Sequence, residues 1–221
     1  MTIDLKGKKG LVVGIANENS IAWGCAKAFY EAGAELAITY LNGKAEPYVR
    51  PLADRANAAI IAPLDVSDET QVTALFDRIH STWGELDFLV HAIAFAPRED
   101  LQGRVTDCSR QGFLKAMDIS CYSFIRLAHL AEPLMKRGGS LLTTTYYGGE
   151  KVVGHYGLMG PVKAALESTV KYLAAELCEK HIRVNALSPG PIATRATGGI
   201  AHFDELLQRA KQKSPEHELV C

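Results

Sequence analysis

GLVVGIANENSIAWGCAKAFYEAGAELAITY, residues 10–40, is the stretch from which the fold can be read. Residues 10–14 are short, β-branched and lack alternation, as a strand buried on both faces should be. Gly14 allows a tight exit from that strand, and IANENS follows as a loop. Ser20 stands where a helix N-cap belongs and Gly33 where a helix should stop, so the spacing predicts a helix over 21–31. A second strand is expected over 35–40, one short turn later.

The same alternation continues outward. The sequence predicts a helix over 48–56 and a strand over 58–64. A helix capped by Ser67 should then run to about Trp83, with Val72, Leu75, Phe76 and Ile79 on one stripe. A strand over 87–94 and a polar loop over 97–107 come next. A long helical stretch over 109–136 follows, which Pro133 should distort near its end. A strand over 140–146, the helix carrying Lys163 to about 180, a strand over 182–188, a loop over 189–200 and an amphipathic helix over 202–213 complete the pattern. Strands alternating with helices give a mainly parallel sheet with right-handed crossovers, hence an α/β doubly wound domain. No repeat, low-complexity tract or linker divides residues 1–221, which are expected to form one domain.

Composition excludes little but is consistent. Hydrophobic content of 48% and charged content of 22% are ordinary for a globular chain. A formal net charge of −1 makes no electrostatic case for nucleic acid or an anionic membrane. The five cysteines (Cys25, Cys108, Cys121, Cys178 and Cys221) form no CxxC pair, and no histidine spacing suits zinc. Such a scattered set fits reduced thiols in a cytosol, and no metal is expected. The first residues hold no apolar segment long enough for a signal peptide or membrane span. The expected location is cytoplasmic.

In such folds ligands bind beyond the carboxyl ends of the strands, so the loop after the first strand is the natural cofactor site. Gly14 and the amides of Ser20 and Ile21 could receive a pyrophosphate at the helix N-terminus. The usual G-x-G-x-x-G is absent, and a capped turn in any α/β fold explains the loop equally well. The second strand ends Tyr40-Leu41-Asn42-Gly43-Lys44, without an acidic residue for a ribose hydroxyl or an arginine for a 2′-phosphate. Farther on, TTTYYGGEKVVGHYGLMGPVK (143–163) sets Tyr146 and Tyr156 ten positions apart and Lys163 seven beyond the second. Seven residues is about two helical turns, so a phenol and an ammonium would share a face and could support a proton donor against a developing oxyanion. A loop tyrosine and a surface lysine meeting by chance is the simpler reading of that spacing alone. Pro161 is easiest to accommodate if regular helix begins only near Gly160, which leaves Tyr156 on an irregular entry turn. Taken singly, Asp65 reads as a helix-start carboxylate, and Ile93 and Met159 as core.

Several segments together carry a resemblance: LVVGIANENSIAWG (11–24), LDV (64–66), HAIAFAP (91–97), DISCYSF (118–124), Tyr146-x9-Tyr156-x6-Lys163 with KAALE, and RVNALSPGPIAT (183–194). In that order and spacing the chain resembles the NADH-dependent enoyl-acyl-carrier-protein reductases of bacterial type II fatty acid synthesis. They are a divergent branch of the short-chain dehydrogenase/reductases. Ordinary members of that larger family place tyrosine four residues before the lysine, where this chain has Met159. The resemblance implies a Rossmann-like fold and reduction of a trans-2-enoyl thioester by NADH rather than NADPH. It also implies acyl carrier protein as the substrate's carrier and a homotetramer. Catalysis would fall to Tyr146, Tyr156 and Lys163. The cofactor would lie along Gly14, Ser20, Ile21, Leu41, Asp65, Val66, Ile93, Lys163 and the segment Ile192, Ala193, Thr194, Arg195 and Ala196. Ala96, Tyr146, Tyr156 and Met159 would border the substrate.

The chain departs from the family at Leu41, where many members have glutamine, and at Ala94, a frequent glycine. Pro189 and Ala193 replace a common alanine and arginine. The sequence stops at Cys221, whereas members continue for roughly another helix and strand. These residues are therefore expected to be a portion of a longer chain, the remainder supplying a last parallel strand and subunit contacts. Alternative readings are an enoyl-CoA or NADPH-dependent reductase of the same branch, or a non-catalytic nucleotide-binding subunit.

Overall fold

A computed structural model describes residues 3–192, 194 and 203–214. In chain order the elements are β1 (Lys9–Val13), α1 (Ile21–Glu31), β2 (Glu35–Tyr40), α2 (Glu46–Arg55), β3 (Ile60–Pro63), α3 (Glu69–Trp83) and β4 (Phe88–His91). Then follow α4 (Arg98–Gln102), α5 (Arg110–Met117), α6 (Ser123–Ala131), β5 (Gly139–Thr144), α7 (Met159–Leu177), β6 (Ile182–Leu187) and α8 (Phe203–Lys213). The described strands form one parallel sheet of order β3-β2-β1-β4-β5-β6. The order reverses between β1 and β4, the switch point at which a doubly wound sheet opens a crevice.

Because the sheet is covered on both faces, successive residues of β1 serve opposite cores. Leu11 and Val13 pack with the α3 stripe of Val72, Leu75, Phe76 and Ile79, and with Phe124 of α6 and Leu166 of α7. Val12 faces the other way, with Leu36 and Ile38 of β2 against Ala22, Trp23 and Ala26 of α1 and Val49 and Leu52 of α2. This two-sided burial is why the strands read as continuous apolar runs.

Five local expectations are corrected. Asp68, not Ser67, caps α3: its carboxylate accepts from the amide of Thr70 at 3.0 Å, while the Ser67 hydroxyl donates to Asp65 at 2.7 Å. Ser20 occupies the cap position of α1 with extended backbone, but its hydroxyl turns back into the loop. There it accepts from the amides of Ala16 and Asn17 at 2.9 and 3.0 Å. The helical stretch expected over 109–136 is α5 and α6 joined by a π-helical turn, Asp118–Tyr122, and closed by a 3₁₀ turn at Pro133. The polar loop over 97–107 contains α4 and a 3₁₀ turn, Val105–Asp107. Strand β4 ends at His91, earlier than expected, because residues 92–96 leave the sheet to line the crevice.

Candidate active site

The crevice at the switch point is a cavity of about 480 Å³, within the range of small-molecule sites. Gly14 forms its floor with φ +107°, and a Cβ there would lie 2.2 Å from the carbonyl oxygen of Ala92. Only glycine combines that backbone with that approach. Ser20, Ile21 and Ala22 line the wall at the start of α1. The amides of Trp23 and Gly24 both turn to the Ser20 carbonyl, so those of Ile21 and Ala22 remain at the open helix end.

On the opposite wall, β5 and the segment before α7 bring the chemical groups together. Tyr156 sits on a turn just ahead of the regular helix, flanked by His155 and Gly157 with φ of +62° and +49°. That reversal points its ring inward, where it is 7% exposed. The Tyr146 ring packs against it, centroids 4.8 Å apart, and the backbone of Gly148 closes over its other edge. Lys163, in the second turn of α7, is 4% exposed and donates from Nζ to the carbonyl of Thr144 at 2.7 Å. The tyrosine and lysine are thus held independently, one by ring packing and the other by a backbone carbonyl.

Burial pushes the Tyr156 phenol well above the usual tyrosine range, with Tyr146 and Glu167 adding to the effect. Tyr156 therefore stays a proton donor at neutral pH. Burial pulls the Lys163 ammonium down to about 8, with Cys121 and Glu167 partly restoring it. Burial also raises Tyr146. Beneath this site the fully buried His91 bridges Thr143 and Ser123 at 2.8 Å each. Ser123 donates its proton to the Ile119 carbonyl, so His91 donates from Nε2 and accepts at Nδ1. Burial, then the charge of Lys163, hold His91 neutral with a pKa of about 3.

Of the residues expected at the site, Gly14, Ser20, Ile21, Ile93, Ala96, Tyr146, Tyr156, Met159, Lys163, Ile192 and Thr194 surround this one cavity. Leu41, Asp65 and Val66 do not line it. They follow β2 and β3 along the same carboxyl edge, with Leu41 54% exposed and the Asp65 carboxylate engaged by Ser67. Ala193, Arg195 and Ala196 lie outside the described residues. Tyr147, next to Tyr146, is 53% exposed on the neighbouring 3₁₀ turn and is not part of the cavity wall. Sequence reasoning missed His91, Thr144, Gly148, Glu167 and Arg98 at or around the site. The paired glycines after Tyr147 were the available signal for a close approach there.

The residues present fit a dinucleotide. Gly14 admits a close backbone approach, the Ile21 and Ala22 amides suit a pyrophosphate, and Lys163 lines the cavity with N–H groups to spare. Among the described residues no cluster of His, Cys, Asp or Glu could hold a metal ion, and no helix is long and apolar enough to cross a membrane.

The chain is similar to known proteins along nearly its whole length. Residues 14–221 match the family described as enoyl-(acyl carrier protein) reductase. The chain is 47% identical over 211 residues to enoyl-[acyl-carrier-protein] reductase [NADH] 1 of Rhizobium meliloti (strain 1021), covering 96% of this chain and 78% of that protein. The crystal structure of the reductase from Anaplasma phagocytophilum in complex with NAD superposes with a TM-score of 0.92 at 50% identity, over 97% of this chain and 82% of that one. The Bacillus cereus enzyme, solved with NADP+ and an indole naphthyridinone, gives a TM-score of 0.94 at 43% identity, over 99% and 85% of the two chains.

Proposed function

Because this chain belongs to the enoyl-(acyl-carrier-protein) reductase family, we propose that it reduces the trans-2 double bond of an enoyl thioester on acyl carrier protein with NADH. This is the last step of the fatty acid elongation cycle. One observation carries the reading: a buried phenol and a buried cation open onto the same cavity as Gly14 and the α1 N-terminus. When bound, NADH supplies hydride to the β-carbon of the enoyl group. Gly14 and the Ile21 and Ala22 amides would bind the pyrophosphate side, while Ser20, whose amide and hydroxyl both donate to the Asn17 carbonyl, shapes the loop around it. Leu41, Asp65 and Val66 would border the adenosine, and Ile93, Ile192 and Thr194 the nicotinamide half.

Tyr156 donates its O–H to the thioester carbonyl oxygen as negative charge builds there. Its raised pKa keeps that proton in place until the charge develops. A donor aimed at a developing oxyanion is worth about 10²–10³ in rate. Lys163 binds the nicotinamide ribose hydroxyls and lends positive potential from a desolvated position, where charge acts most strongly. Tyr146 steadies the Tyr156 ring, and with Ala96 and Met159 it borders the acyl chain.

The same proposal takes residues 1–221 as one dinucleotide-binding unit of a cytoplasmic homotetramer. Support for assembly comes from exposed Tyr122 on the π-helical turn, Ile125 on α6 and Tyr172 on α7, apolar surface beyond what the core uses. Light scattering on the purified chain tests that part. The deciding assay for the reaction is NADH consumption with a trans-2-enoyl thioester, run beside Tyr156→Phe. Activity that falls sharply in the variant while NADH affinity is kept supports the reading. Equal activity in the two proteins refutes the role of Tyr156.

A further inference from the structure

The corner where β5 meets α7 is tied by a carboxylate that does not line the cavity. Thr145 donates its amide to the Leu187 carbonyl on β6 at 2.8 Å and its hydroxyl to Glu167 Oε1 at 2.7 Å. Its two neighbours in the chain are both site residues. The carbonyl of Thr144 receives Lys163 Nζ at 2.7 Å, and the ring of Tyr146 lies on Tyr156. Glu167 stands one turn beyond Lys163 on the same face of α7. Gly149 packs over this corner so tightly that an added Cβ would lie 2.9 Å from Glu167 Oε1 and 3.0 Å from the Lys163 carbonyl carbon. The carboxylate therefore has little freedom to move.

Resting on the roles of Tyr156 and Lys163 given above, we propose that Glu167 is a positioning residue for the reduction. Through Thr145 it fixes the strand exit that holds Lys163 and Tyr146, and its charge, one turn away on the same helix face, favours the cationic form of Lys163. The hydrogen bond supplies geometry. Backbone rotation at Thr145 would move the Thr144 carbonyl and the Tyr146 ring together, so the Glu167 bond, acting with the amide bond to Leu187, sets the spacing of three groups. The charge supplies the protonation state. Lys163 is desolvated; Tyr146 and Tyr156 share its cavity, and Cys121 of the π-helical turn, the neutral His91 of β4 and Glu167 interact with its charge. Cys121, then Glu167, raise the lysine against its burial, and Glu167 is the carboxylate of the two.

The two contributions separate in three variants compared with the parent enzyme. Glu167→Gln keeps an oxygen for Thr145 and removes the charge. Protonated Lys163 is the working form, and its pKa drops when the carboxylate is lost. The alkaline limb of kcat/KM should move to lower pH by roughly 0.5–1 unit. Thr145→Val removes the hydrogen bond and keeps the charge, so kcat should fall while the limb stays in place. Thr145→Ser restores the donor and should restore kcat. Circular dichroism and thermal melting confirm that each variant is folded. An alkaline limb unmoved in folded Glu167→Gln overturns the electrostatic role, and an unchanged kcat in Thr145→Val overturns the positioning role. Lys163→Ala separates these failures from failure of the underlying reading: if it retains full activity, the assigned role of Lys163 is wrong.

Discussion

Gly148→Ala tests how tightly the reactive phenol is held. The glycine backbone is not in the left-handed region, so alanine adds a contact without dihedral strain. Its Cβ would lie 2.3, 2.7 and 3.1 Å from Cδ1, Cε1 and Cγ of Tyr156. Ordinary carbon contacts begin near 3.4 Å, so the ring and the turn must separate by about 1 Å. The ring cannot retreat freely, because Tyr146, Met159 and Val162 pack around it. A 1 Å misplacement of a reacting group costs about 10²-fold in rate, and overpacking costs about 1–3 kcal/mol of stability. Steady-state kinetics should therefore show kcat reduced about 100-fold, with NADH affinity measured by fluorescence quenching retained. Gly154→Ala is the control, since nothing lies within 4 Å of its added Cβ among the described residues. A folded Gly148→Ala protein with the parent's kcat would refute the reasoning.

Two further outcomes follow from the same geometry. Gly14→Ala combines φ +107° with a 2.2 Å approach to the Ala92 carbonyl, so it should abolish NADH binding and cost about 1–3 kcal/mol, read by titration and thermal melting. His91 is neutral in the fold with a pKa of about 3 but titrates near 6.5 when unfolded. The unfolded chain binds the extra proton, so stability is full above about pH 6.5 and falls by up to about 1.4 kcal/mol per unit as pH drops toward 3. Urea melts of His91→Gln against the parent should show a shallower acid limb in the variant, and identical slopes would count against the buried neutral imidazole.

The fold was legible because its signals are local. A strand buried on both faces is a short apolar run, as in β1, and the amphipathic stripe of α3 repeats every turn. Helix α1 and strand β2 fall where Ser20 and Gly33 predicted them. The misses have a different origin. Ser67 and Asp68 are both capping residues, and which of them caps α3 depended on a competing bond to Asp65. The π-helical turn in DISCY has no periodicity of its own; it appears where Ser120 exchanges hydrogen bonds with Phe95, 25 residues away.

The site divides along the same line. Spacing drew attention to Tyr146, Tyr156 and Lys163, but it was the resemblance of the whole chain to a family that associated them with catalysis. Spacing also placed Tyr156 ahead of the regular helix, through Pro161. Spacing could not establish that Lys163 is buried or that its partner is the Thr144 carbonyl. Nor could it link Thr145 to Glu167, or set His91 between Thr143 and Ser123. Those contacts join segments 19 to 52 residues apart. They exist only once β4, β5 and α7 have packed, because desolvation and hydrogen-bond partners are properties of the assembled core rather than of any stretch of chain.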